Sequence, residues 1–270
     1  IRRPPRSTPK PSSAASDVYK RQVFKMFEQQ VSTSLDNLEP YTRSHPLDRD
    51  RIRAIRTLVA KQSNHPINLK YQYWFSRIHA KLSSFIYDPE WTLNQLHSSN
   101  NLDLLKKAVA SHRIGQAETA IRSINKLLIT HPNDPYFFEL KGQILLENRQ
   151  YSSAIKAYQT AAELEPKNAL ILGGYGRALL TLNNENVNKK ALKVLKIARN
   201  LDNKDTNILR YLGAAFTRSG QQGEAILTVA ERYALNGDVK NAILQAKRAE
   251  VMLPRGSSAW QSAQNIIYGP

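Results

Sequence analysis

Small residues recur along this chain at fixed distances, and that spacing restricts the fold more than any other feature. Within residues 135–168, Gly142 is followed twelve positions later by Ala154, and then by Ala161 and Pro166. From Asn101 the same offsets give Ala108, Ala120 and Pro132. From Ala169 they give Gly176, with Ala191 and Ala198 displaced by three inserted residues around 184–188, and Gly213 and Ala225 begin another copy. Self-similarity at a period of about 34 residues marks a unit that cannot bury its apolar face alone and must stack on its neighbours. The offsets suit a helix, a short turn and a second helix. Small residues then sit where paired helices cross closely, and the proline stops the second helix.

This pattern resembles the tetratricopeptide repeat. The last copy is compressed: Ala225 and Ala242 are only 17 residues apart, so one helix over 222–235 is expected to serve two repeats. Gly237 and Asp238 then turn the chain into a helix over 239–253, ended by Pro254, and a short helix over 258–267 is expected to cap the stack. Upstream, Phe24, Phe27, Val31, Leu35 and Leu38 recur at helical intervals, as do Tyr71, Phe75, Ile78, Leu82 and Phe85. Ile52, Ile55 and Val59 mark a further helix, with Asp48 and Asp50 in its first turn. No alternating strand pattern occurs. The expected fold class is all-α: a helical solenoid over 101–270, preceded by a few helices over 23–100.

Composition narrows the function. With 41% hydrophobic residues among 270, the chain can bury a sizeable core. No apolar run is long enough to cross a membrane. The absence of cysteine removes disulfides and thiolate chemistry, and fits an oxidising compartment without requiring one. Residues 1–22 hold Arg2, Arg3, Arg6, Lys10, Lys20 and Arg21 against Asp17, a net +5, so the rest of the chain carries +12 of the total +17. This Pro- and Ser-rich stretch has no helical or strand period and is expected to be disordered. Its SSAASDVYKRQ string resembles translated sequencing-adapter sequence, so no function is assigned to it and the protein is expected to continue upstream of Val23.

Catalytic signatures are missing. The six histidines, His45, His65, His79, His97, His112 and His131, include no pair four apart, so the chain contains no HExxH zinc helix. There is also no phosphate-binding glycine loop and no nucleophile elbow.

The order of segments is informative: LEPYTRSHPLDRDRIRAI, then YWFSRIHAKLSSFIYDP, then the repeats, then AERYALNGDVKNAILQAKRAEVMLPRGSSAWQSAQNII. From Val23 to the C-terminus this resembles the BepA-like periplasmic zinc metalloproteases that carry a C-terminal tetratricopeptide domain. The resemblance implies that 23–100 are the final helices of a protease domain and its connector, and that 101–270 bind protein partners. It also implies a periplasmic location, partners among outer-membrane assembly factors or their substrates, and contact with the protein's own catalytic domain. In that family an HExxH helix and a downstream glutamate bind zinc; both would lie before Val23. This chain lacks them and is expected to be inactive and zinc-free alone. The resemblance further implies that His45, in the His-Pro turn, can approach the zinc of the full-length protein as a regulatory residue; a plain turn histidine is the simpler alternative.

Two charged features remain. Nine basic residues from Arg43 to Lys81 face only Asp48 and Asp50. With no nucleic-acid-binding fold beside them they are read as a solvated face, and nucleic acid is not expected as a partner. Projecting the repeat frame places Arg113, Glu139, Gln143, Arg177, Arg210 and Arg218 on the lining of the groove formed by the first helix of each repeat. Four arginines favour an acidic segment, because their planar forks grip carboxylates with two hydrogen bonds. A free-standing repeat adaptor that never had a protease is the alternative reading, and a basic nucleic-acid-binding repeat protein is the third.

Overall fold

The computed structural model describes Arg53, Arg56, Thr57 and residues 68–269. The helix expected around Phe24 and the His45 turn lie outside the described residues; of the helix expected around Ile55, Arg53, Arg56 and Thr57 are described and helical, with the Thr57 hydroxyl donating to the Arg53 carbonyl at 3.0 Å. The chain divides into two compact units, Ile1–His79 and Ala80–Pro270. In the first, the described part of α1 (Leu69–Ile86) carries Arg77 with its guanidinium 5.1 Å from the Trp74 ring centre and donating to the Tyr73 hydroxyl at 3.2 Å.

The second unit holds the end of α1 and eleven more described helices. These are α2 (Pro89–Asn94), α3 (Asn101–Arg113), α4 (Ala117–Thr130), α5 (Pro135–Glu147), α6 (Tyr151–Leu164), α7 (Ala169–Leu179), α8 (Glu185–Leu201), α9 (Thr206–Arg218), α10 (Gln222–Leu235), α11 (Val239–Met252) and α12 (Ser258–Tyr268). Among the described residues there is no strand. The architecture is an all-α tetratricopeptide solenoid, as the period predicts.

Local chemistry starts each repeat at the same place. The side chains of Asn100, Asp134, Asn168 and Asp205 cap α3, α5, α7 and α9 by accepting backbone N–H groups of the first turn. These caps are 34, 34 and 37 residues apart, the last interval absorbing the three-residue insertion. In the pairs α3–α4, α5–α6 and α9–α10, the first helix ends in a Schellman turn. Gly115 N–H donates to His112 C=O and Gln116 N–H to Ser111 C=O; Arg149 with Gln150, and Gly220 with Gln221, repeat the same two bonds. Such a turn needs a positive φ, found at Gly115 (77°), Arg149 (59°) and Gly220 (71°).

The same turn also links α10 to α11. Gly237 (φ 79°) donates to Ala234 C=O, and Asp238 donates to Tyr233 C=O. The α10–α11 connection therefore has the chemistry of a first-to-second-helix turn, although α10 already closes the pair begun by α9. One helix serves two pairs, as the 17-residue spacing predicts.

Packing follows the small residues. The central cluster runs from Leu145 and Tyr158 through Leu172, Tyr175, Leu195 and Leu212 to Phe216. Tyr158 of α6 explains two glycines at once. A Cβ at Gly142 of α5 would stand 2.7 Å from its ring, and one at Gly174 of α7 would stand 2.4 Å from it. A bulky aromatic on the second helix is thus seated between the first helix of its own pair and that of the next. A second cluster joins Ala80 to Leu105, Ala108, Val109, Leu140 and Ile144. A third, around Leu227, Ala246, Leu253 and Ala263, is covered by Trp260 of the capping helix.

Candidate protein-binding groove

Side chains bridge the first helices from one pair to the next. His112 of α3 places Nε2 2.7 Å from Glu147 Oε2 of α5. The other Glu147 oxygen accepts from Gln143 at 3.2 Å and lies 3.9 Å from Arg177 Nη1 of α7. Glu147 is therefore the hub of a polar ladder across three successive repeats, and it is the carboxylate nearest to Arg177.

The six residues assigned to the lining divide into four groups. Arg113 and Arg218 are committed to backbone. Arg113 donates to the carbonyls of Ser84 and Tyr87 at the end of α1, with its guanidinium 5.8 Å from the Phe85 ring centre. Arg218 donates to the Leu180 carbonyl at the end of α7 and, at 3.4 Å, to Asn188 Oδ1. Each arginine satisfies C-terminal carbonyls left open by another helix, where a cation also suits the helix dipole. Glu139, only 8% exposed, pairs with Lys81 of α1 at 3.2 Å. Gln143 and Arg177 are brought together around Glu147. Arg210 is exposed; its guanidinium donates to the Tyr211 hydroxyl at 3.0 Å and lies 4.9 Å from that ring's centre. Arg113 and Arg218 are exposed as well, so what sets Arg177, with its side chain 41% exposed, and Arg210 apart is that neither holds a backbone carbonyl among the described residues.

Residues outside that set also shape the face. His112 and Glu147 could have been found from the frame, since Glu147 occupies the place of Arg113 one repeat later. Arg232 could not, because it belongs to α10, a second helix by the same frame. It lines a cavity of about 260 Å³ between α9 and α10, with Leu209, Arg210, Gly213, Ala214, Ile226 and Val229 among the other walls. Its Nε is buried and has no hydrogen-bond partner among the described residues.

A zinc ion does not fit the described residues. Among them, no group of three His, Cys, Asp or Glu side chains could hold a metal ion. No described helix is long and apolar enough to cross a membrane.

Comparisons with known proteins agree with this geometry. Residues 107–231 match the family described as the cytochrome c-type biogenesis protein H TPR domain. The fold resembles solved structures of MamA. The AMB-1 protein is 17% identical, with 60% of this chain and 98% of that chain covered at a TM-score of 0.50. The RS-1 double mutant is 20% identical, with 60% and 93% covered at a TM-score of 0.51. No curated protein matches the sequence. At these identities the structural likeness is one of fold, and together with the family match over 107–231 and the repeating caps and turns it marks the solenoid as tetratricopeptide-like in fold.

Proposed function

We propose that the solenoid captures an acidic segment of a protein partner on its first-helix face, with Arg177 and Arg210 as the principal contacts. The observation that carries this reading is their placement on α7 and α9. Among the described residues, Arg177 is held only by Glu147 at 3.9 Å and Arg210 only by its neighbour Tyr211, while Arg113 and Arg218 are tied to backbone carbonyls. Reversing both charges, Arg177→Glu with Arg210→Glu, should abolish capture of an acidic partner, because two attractions become two repulsions. The control is Lys156→Glu with Lys193→Glu, exposed residues of the second helices α6 and α8. Equal loss in both double variants would mean diffuse electrostatics and would sink the assignment.

In its longer form, the proposal is that this chain is the C-terminal part of a BepA-like periplasmic zinc metalloprotease. Its solenoid would recruit outer-membrane assembly factors or their substrates to a zinc site carried upstream, where His45 would approach the metal. The segment order supports this. So does the apolar stripe along α1, where Tyr71, Ile78, Leu82 and Phe85 are each more than half exposed and suit contact with a further domain. The chain by itself should bind no stoichiometric zinc and should not cleave casein; chelator-sensitive cleavage would overturn this reading. The matched cytochrome c-type biogenesis family favours a second reading, a free-standing adaptor. An upstream reading frame encoding HExxH separates the two.

A further inference from the structure

We propose that the cavity between α9 and α10 is a carboxylate slot. In it, Arg210 and Arg232 together hold an acidic side chain of the partner segment, while the neighbouring aliphatic residue of that segment rests on Ala214, Ile226 and Val229. This deepens the groove reading above and rests on it, adding a residue from α10 and a definite seat.

The cavity, about 260 Å³, lies just below the size of small-molecule sites and has room for an acidic side chain with an aliphatic neighbour. Its charged walls are Arg210 and Arg232, and no Asp or Glu among the described residues lines it. The acids of α10 are turned elsewhere: Glu224 and Glu231 line a separate cavity of about 350 Å³ together with Lys196 and Arg199 of α8. Charge is therefore segregated between the two cavities, and the one that holds Arg210 and Arg232 has only cations among its charged walls. Arg232 supplies the second observation. Its Nε is buried without a partner among the described residues, a standing cost in the protein, and the same side chain lines the cavity. A carboxylate is the acceptor that matches the fork, since it takes two parallel N–H bonds. Beside the two arginines, Ala214, Ile226 and Val229 give an apolar wall next to Thr217 and Thr228, which suits a peptide with an aliphatic residue beside its acid. A nucleic-acid phosphate brings no such group.

The physical origin of the slot is the double duty of α10. The Schellman turn at Gly237 sends α11 off as the partner of α10, and the cavity lies between α10 and its first partner, α9. Gly213 and Ala225, small residues of the repeat frame, keep those two helices close at its base.

The test is a fluorescence-anisotropy titration of the full chain with a short labelled peptide alternating glutamate and valine, its glutamine counterpart, and a labelled single-stranded oligothymidylate. The glutamate peptide should bind wild type about tenfold or more tightly than the glutamine peptide. Arg232→Gln should remove that preference, and Ala214→Leu, at an exposed position, should weaken both peptides by filling the seat. Circular-dichroism melts of both variants confirm folding, and the Ala214 variant keeps the test alive if Arg232→Gln does not fold. Unchanged glutamate-peptide affinity in Ala214→Leu, or in a folded Arg232→Gln, overturns the slot. Tighter binding of the oligothymidylate than of the glutamate peptide also overturns it, in favour of phosphate. If Arg177→Glu weakens the glutamate peptide while those two variants do not, the slot falls and the groove reading stands. If wild type binds neither peptide, both fall.

Discussion

Glu231 of α10 is ion-paired with Arg199 of α8, 32 residues earlier in sequence, in the space between α8, α10 and α12. Burial raises the Glu231 pKa above its usual 4.5, and the attraction of Arg199 only partly offsets that rise. A carboxyl whose folded pKa lies above its unfolded value binds protons more tightly when folded. Its contribution to stability is therefore fully present below about pH 4.5 and is lost as pH rises through the raised folded value. The melting temperature of wild type relative to Glu231→Gln should accordingly fall as pH rises from 4 towards neutrality and then level off. A difference that grows with pH would show that pairing outweighs burial.

Arg149 occupies a left-handed turn position, φ 59°, that glycine fills in the equivalent turns at 115 and 220. A side chain costs roughly 1 kcal/mol in that conformation. Arg149→Gly should stabilise the chain by up to that amount, and Gly115→Ala should destabilise it similarly, although nothing lies within 4 Å of the added Cβ. Urea unfolding of both variants checks this, and destabilisation by Arg149→Gly would point to a contact made by its side chain.

Gly174 sits where a methyl group would enter the ring of Tyr158. Helix propensity alone favours Gly174→Ala by about 1 kcal/mol. Overpacking against a buried aromatic costs roughly 1–3 kcal/mol and should win. The variant should melt lower than wild type, and Tyr158→Leu in the same chain should recover part of the loss. A higher melting temperature for Gly174→Ala alone would refute the close approach.

Arg218 and Arg210 lie in the same helix, two turns apart, yet should behave differently. Arg218→Ala removes donors from the Leu180 carbonyl and the Asn188 side chain, and should cost about 1–2 kcal/mol. Arg210→Ala removes only a local bond to Tyr211 and should change stability by less than about 0.5 kcal/mol while weakening the acidic peptide. Equal stability losses would put Arg210 among the structural residues.

The sequence alone determined the helices and their pairing. Caps and Schellman turns are local chemistry, and small residues at 142, 154 and 161 are read directly from the spacing. The double role of the 222–235 helix was legible for the same reason, because 17 residues leave room for only one helix between Ala225 and Ala242. The fate of each charged side chain was not legible. Arg113, Arg177, Arg210 and Arg218 look alike in the repeat frame, yet Arg113 and Arg218 hold carbonyls 26 to 38 residues away, and Glu139 is taken by Lys81 at a separation of 58. Those partners are set by how closely one repeat approaches another, and by which helix ends leave acceptors open there. Periodicity fixes which face a residue occupies, but the acceptor that lies within 3 Å of it is decided only when the repeats stack.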